Sequence, residues 1–116
     1  MELVNKLRKR ESENNPIRVG IVGCGQMGSG LAHAVNNVTG MRIAAIADID
    51  PARAIKTLVE MGHDKESVVV TDDAARAQDA VMNGKPVVTS NALLMTAIPG
   101  LEANVEATGG TDIGAR

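Results

Sequence analysis

The chain has 116 residues, of which 44% are hydrophobic and 22% are charged, and its formal net charge is −2. This balance predicts a single globular domain with one core and argues against intrinsic disorder. The chain contains no aromatic residue, so it lacks the stacking platforms and the basic surface that nucleic-acid binding usually requires. We therefore expect no nucleic-acid partner.

The cysteine count and the hydropathy pattern indicate the cellular compartment in which the protein is expected. A single cysteine, Cys24, excludes an internal disulfide and gives no indication of secretion. The first ten residues are charged and lack the apolar segment of a signal peptide. No run approaches the roughly 20 apolar residues of a membrane span. We expect a cytoplasmic protein that does not contact a membrane.

In chain order, residues 1–16 predict an amino-terminal helical arm, with a helix over residues 2–12 that ends before Pro16. Its small apolar side is expected to dock on the body of the domain or on a neighbouring subunit. Residues 17–116 predict one further domain in which strands and helices alternate. The predicted strands are 17–22, 41–47, 87–89 and 103–108, and the predicted helices are 26–37, 51–61, 72–83 and 92–97.

Two short apolar runs, 67–71 and 85–89, compete for the place of the third parallel strand. We favour residues 87–89, because a short helix and a further strand follow them. Residues 67–84 then form an insertion at the edge of the sheet. The predicted fold class is α/β, with a Rossmann-type, doubly wound, mostly parallel sheet and helices on both faces.

The first strand runs directly into residues 23–28, Gly-Cys-Gly-Gln-Met-Gly, which match the pattern G-x-G-x-x-G. In that pattern Gly23 permits the tight turn. Gly25 lets the backbone approach a pyrophosphate, and Gly28 lets the helix pack closely on the strand. Cys24 fits this turn as a small residue, although a thiol at a helix start can also be reactive.

The helix after this turn is predicted to begin with Gln26 and Met27, so that its free N–H groups and the positive end of its dipole face the phosphates. Asp48 ends the second strand, about 20 residues beyond Gly28. From there a carboxylate can accept a hydrogen bond from the adenosine ribose. The order of strand, glycine turn, helix, strand and acid predicts dinucleotide binding.

Two other glycine-rich motifs are similar. A P-loop requires a lysine after its last glycine, and Gly28 is followed by serine. Methyltransferases that bind S-adenosylmethionine usually carry an acid just before the glycines, where this chain has residues 20–22, Gly-Ile-Val. The dinucleotide interpretation is therefore favoured. Elsewhere, Asp72 and Asp73 are read as helix caps rather than a catalytic pair, and no metal site is predicted.

Three segments are more informative together than alone: residues 15–28, 46–54 and 105–109. In them the chain resembles the NAD(P)-binding domain of homoserine-dehydrogenase-like oxidoreductases. The resemblance is nearest to a subgroup with a carboxyl-terminal SAF domain, which includes enzymes similar to 1-deoxyxylulose-5-phosphate reductoisomerase. It implies that Ala107, Thr108 and Gly109 lie near the nicotinamide ribose.

The resemblance also implies a parent protein that transfers hydride between NAD or NADP and a small-molecule substrate, with this chain supplying the cofactor half. We expect a fragment whose sheet is truncated after the fourth core strand, because a dinucleotide fold needs two mononucleotide halves. Catalytic residues would then lie beyond Arg116, and a homo-oligomer is expected. The alternative is a non-catalytic module that senses NAD(H).

The choice between the two cofactors rests on Asp48. A carboxylate at this position accepts from the ribose 2′-hydroxyl and repels a 2′-phosphate, which favours NAD. Arg53 lies just inside the next predicted helix and could reach a phosphate. We expect a mobile, solvated Arg53 to contribute less than Asp48, because two unit charges about 4 Å apart interact by roughly 4 kcal/mol at an effective dielectric of ~20.

Overall fold

The computed structural model describes residues 2–13, 16–23 and 26–107. Their α-helices are α1 (Glu2–Ser12), α2 (Gln26–Asn36), α3 (Pro51–Glu60) and α4 (Ala74–Met82). Their strands are β1 (Ile17–Val22), β2 (Met41–Ala47), β3 (Val69–Val70), β4 (Val87–Thr89) and β5 (Ala103–Glu106). Two 3₁₀ segments, Lys65–Ser67 and Ala92–Ala97, complete the described elements. No helix of this described part is long and apolar enough to cross a bilayer.

The five strands form one sheet in the order β3-β4-β2-β1-β5, and every neighbouring pair is parallel. The predicted α/β class is therefore confirmed. β4 pairs with β2, as predicted for residues 87–89, and β3 lies outside it at the sheet edge. The chain progresses from β1 to β2 and β4 on one side, and then places β5 on the other side of β1. This reversal creates the crevice at which open α/β sheets bind ligands.

Helices cover both faces of the sheet, which explains the continuous apolar runs of its central strands. On one face α2 and α3 pack against a cluster that includes Ile21 and Val88. On the other face α4 and the segment Ala92–Ala97 pack against a cluster that includes Val87 and Met95. Adjacent residues of one strand, Val87 and Val88, thus belong to opposite faces, as the pleat requires.

Some predicted boundaries are wrong by a few residues. The last strand ends at Glu106 rather than at residue 108, and Thr108 lies outside the described residues. Helix α4 begins at Ala74, two residues after Asp72, because Asp73 is its cap. The helix predicted to begin at Thr111 also lies outside the described part of the chain.

Helix α1 packs across the amino ends of the strands and docks through Leu7, whereas Leu3 on its apolar side stays exposed. Leu7 is buried against Gly40, where an added Cβ would lie 2.8 Å from the Leu7 Cβ. The Gly40 N–H also donates to Glu11 Oε1 at 3.0 Å. Arg10 donates through both terminal nitrogens to Glu102, at 2.7 and 3.1 Å. This arm therefore leaves the carboxyl edge of the sheet uncovered.

Candidate functional site

Three of the predicted site residues meet at the carboxyl edge of the sheet. Gly23 follows β1, Asp48 follows β2 and Ala107 follows β5. The Gly23 N–H donates to the Ala47 carbonyl at 2.6 Å, and the Ala107 N–H donates to the Val22 carbonyl at 2.8 Å. These bonds extend the sheet pairing by one residue. They hold the three strand ends side by side at the crevice.

The described part of the glycine turn has the geometry that its spacing predicts. Gly23 adopts φ +91°, a left-handed conformation that a side chain disfavours. A Cβ added to Gly28 would overlap the Gly23 carbonyl oxygen and would lie 3.5 Å from the Ala107 Cβ. Helix α2 can therefore approach the turn and β5 only with glycine at position 28. Contact of these residues with a cofactor stays a prediction.

The amino end of α2 points to the same place. Gln26 and Met27 open this helix, as predicted, and its first turn carries no acidic residue that would offset the positive end of the dipole. Gly25, Thr108 and Gly109 lie outside the described residues, so their predicted roles stay predictions.

Asp48 is held in an ion pair that corrects the expectation for Arg53. The Asp48 side chain is 2% exposed. Arg53 Nη2 donates to Oδ1 at 2.8 Å and Arg53 Nε donates to Oδ2 at 3.0 Å. Arg53 is exposed, as expected, but it is bound to Asp48 through two hydrogen bonds. The sequence reasoning missed this pairing because it depends on how the first turn of α3 lies against the end of β2.

The turn that leads into α3 depends on Asp48 as well. Asp50 stands at the cap position and Pro51 opens the helix, as predicted, but the Asp50 side chain makes no capping hydrogen bond. Instead the Asp50 N–H donates to Asp48 Oδ1 at 2.9 Å. Asp48 therefore organises both the backbone of the turn and the arginine of the helix.

A second polar group, which the sequence reasoning missed, closes the end of β4. Thr89 is fully buried and donates through its hydroxyl to Asp72, so Asp72 binds a side chain rather than capping a helix. Asp73 alone caps α4, accepting from the Arg76 N–H at 3.1 Å. The Thr89 carbonyl accepts from the Asp48 N–H at 2.9 Å. A threonine that ends a buried apolar strand was the available signal.

Ile49 is an apolar side chain at this edge and was also missed. It follows Asp48 directly and is 90% exposed. Isolated exposed aliphatic residues are common on protein surfaces. This one stands immediately beside the acid that is predicted to contact the adenosine ribose, in a chain without any aromatic residue to cover an adenine.

Two further features of the molecule, His63 and a surface cavity, lie away from this edge. Burial, and then the charge of Arg42, lower the pKa of His63. A cavity of about 450 Å³, whose lining includes Glu11, Asn36 and Arg42, opens near the amino ends of β1 and β2, opposite the glycine turn. Within the described ranges, no three metal-binding side chains cluster together. The chemistry that the sequence indicates therefore concentrates at the carboxyl edge.

Comparison with known proteins gives partial similarities. The chain is 45% identical over 49 residues to a glycosyl hydrolase family 109 protein of Shewanella amazonensis, a match that covers 40% of this chain and 11% of that protein. It is 40% identical over 62 residues to glycosyl hydrolase family 109 protein 2 of Shewanella sp. (strain ANA-3), covering 51% of this chain and 14% of that protein. No family model matches the chain.

A longer match covers a larger share of the chain. The chain is 29% identical over 101 residues to an inositol 2-dehydrogenase of Burkholderia cenocepacia, covering 70% of this chain and 30% of that protein. The chain therefore spans 11% to 30% of the length of these three relatives. Together with the parallel sheet, these similarities support a Rossmann-type dinucleotide-binding domain. The homoserine-dehydrogenase-like subgroup and its SAF domain stay predictions.

Proposed function

We propose that this chain is the dinucleotide-binding domain of an NAD(P)-dependent oxidoreductase that transfers hydride to or from a small metabolite. The observation that carries the proposal is the close contact of Gly28 with the Gly23 turn, beside Asp48 on the adjacent strand end. The similarity to an inositol 2-dehydrogenase, a protein named for oxidoreductase chemistry, supports the same function.

The proposed binding mode assigns each part of the cofactor to one element. The pyrophosphate would lie on Gly25 and the amino end of α2, where backbone N–H groups and the helix dipole favour an anion. The adenosine ribose would contact Asp48, and the exposed Ile49 would cover one side of the adenine. The nicotinamide ribose would lie near Ala107, Thr108 and Gly109.

The bound nicotinamide would supply the hydride chemistry, and this chain would bind and orient it. We propose NAD as the preferred cofactor, because a carboxylate at Asp48 favours a free ribose 2′-hydroxyl. We place the substrate and the catalytic residues outside this chain, in a cytoplasmic and homo-oligomeric parent protein of the homoserine-dehydrogenase-like subgroup. The resemblance in residues 15–28, 46–54 and 105–109 supports that subgroup.

Calorimetric titration of the chain with NAD, NADP, ADP-ribose and nicotinamide mononucleotide tests the proposal. We expect saturable binding of one dinucleotide per chain. ADP-ribose should bind more tightly than nicotinamide mononucleotide, because Asp48 and Ile49 both lie on the adenosine side. A chain that keeps its fold, as judged by circular dichroism, and binds none of the four ligands would contradict the proposal.

A further inference from the structure

We infer that the Asp48–Arg53 ion pair makes this site accept NADP as well as NAD, with Arg53 as the specificity-determining residue. The inference rests on the proposed function, because it concerns the adenosine end of the same site. Asp48 alone would repel a 2′-phosphate. In the ion pair, the exposed member is Arg53, whose positive charge attracts one.

The two side chains of the ion pair differ in their exposure to solvent. The Asp48 side chain is 2% exposed, whereas the Arg53 side chain is 47% exposed. A ligand that reaches the end of β2 therefore meets the guanidinium before it meets the carboxylate. The adjacent Ile49 is 90% exposed, so an adenine placed against it would bring the attached ribose to the same point.

The charges support the same conclusion. Both Asp48 oxygens accept from one planar guanidinium, at 2.8 and 3.0 Å, so the negative charge that would repel a 2′-phosphate is offset within the pair. A guanidinium carries five N–H donors in a fixed fork, and two of them reach Asp48. This group is well suited to phosphate, since it combines charge with directional hydrogen bonds.

The backbone around Arg53 also favours an anion. Arg53 is the third residue of α3, and the first turn of that helix contains no acidic residue. The positive end of the helix dipole therefore adds to the arginine charge. Asp48 restrains the arginine through two hydrogen bonds, so less side-chain entropy remains to be lost when a phosphate binds.

A purely structural role of the ion pair is the competing explanation. The pair joins the end of β2 to α3, and it could serve only to hold this turn. In that case replacing Arg53 would weaken NAD and NADP binding by the same factor, through a distorted turn. A role in specificity changes the ratio of the two affinities, and this ratio is the quantity to measure.

The experiment measures dissociation constants of NAD, NADP, adenosine 5′-monophosphate and adenosine 2′,5′-bisphosphate for the wild-type chain and for R53Q, R53K and D48N. Arg76 offers a matched control, since it is also the third residue of its helix, α4, and is also exposed. R76Q should leave all four constants unchanged. The two adenosine nucleotides isolate the 2′-phosphate without the nicotinamide.

For the wild type we expect the dissociation constants of NADP and NAD to differ by less than about tenfold, because one charge-assisted hydrogen-bonding group contacts the 2′-phosphate. R53Q should weaken NADP and the bisphosphate by about tenfold or more while changing NAD by less than about threefold. D48N should tighten NADP relative to NAD. In the wild type, added salt should weaken NADP more than NAD, because the 2′-phosphate contact is a charged one.

A wild type that binds NAD more than about 100-fold tighter than NADP, with the same ratio in R53Q, would overturn the inference and leave the proposed function intact. Equal weakening of both cofactors in R53Q would overturn it as well. Binding of neither cofactor would overturn the proposed function too. If R53Q does not fold, the affinities of R53K and the salt dependence of wild-type binding test the inference instead. An equal effect of salt on the affinities of both cofactors would contradict a phosphate contact.

Discussion

Gly28 lies against the Gly23 carbonyl at the start of α2, with no room for a side chain. Gly28→Ala should destabilise the chain by about 1–3 kcal/mol, because the new Cβ overlaps the Gly23 carbonyl oxygen and the helix must move away. Gly30→Ala in the same helix is the control. Within the described part of the chain, a Cβ added at Gly30 meets no atom within 4 Å beyond its chain neighbours and its own helix backbone, so that change should stabilise the chain by roughly 0.5–1 kcal/mol.

Urea unfolding of both variants measures these differences. Equal stabilities for the two variants would show that the close contact at Gly28 is relieved at no cost, and that glycine is not required there.

Gly25 is the residue whose backbone is predicted to lie against the pyrophosphate of the cofactor. Gly25→Val should abolish dinucleotide binding with little change in stability, because its side chain would occupy the space of the pyrophosphate. Titration with NAD and NADP measures the affinity, and a thermal melt checks the fold. Undiminished affinity in the variant would remove the phosphate site from this turn.

At the scale of elements, α1 is joined to the sheet by charges whose behaviour depends on pH. Hydrogen bonding from Arg10 lowers the pKa of Glu102 from its ordinary value of 4.5, and this exceeds the effect of partial burial, which raises it. A carboxyl group with a lowered pKa in the folded state stabilises the fold above its unfolded pKa. The contribution disappears as the pH falls below 4.5 and through the lowered value.

We therefore expect Glu102→Gln to lower the melting temperature at pH 7, and we expect the difference from wild type to vanish in strongly acidic solution. Glu106→Gln, at the carboxyl end of β5, is a comparison variant that leaves Glu102 paired with Arg10. A difference between wild type and Glu102→Gln that persists unchanged at low pH would mean that the charge of Glu102 does not hold α1.

At the scale of the whole molecule, the sheet has an incompletely covered edge. Within the described part of the chain, β5 pairs with β1 on one side, and three of its four residues are exposed. Open strand edges and exposed apolar side chains favour pairing with another chain. We predict that this chain self-associates or is only marginally stable. Light scattering and a thermal melt test this, and a monomer that melts cooperatively at high temperature would contradict it.

The sequence alone determined the order of elements and the positions of the glycine turn and the acid. These features depend on residues close together in the chain. Apolar runs predict buried strands, Gly62 follows the end of α3, and Asp48 directly follows β2. The prediction that residues 87–89 form the third parallel strand was also correct. It rested on the short helix and the further strand that follow these residues in the chain.

Only the tertiary structure decided which side chains meet. Asp48 binds Arg53, Asp72 binds Thr89 rather than capping a helix, and Leu7 packs on Gly40. Each contact joins residues that a local pattern treats separately, and its geometry depends on how the strands align and how the helices lie across them. Sequence spacing predicts that Asp48 contacts a cofactor ribose, and only the packed chain shows that this acid is paired with Arg53.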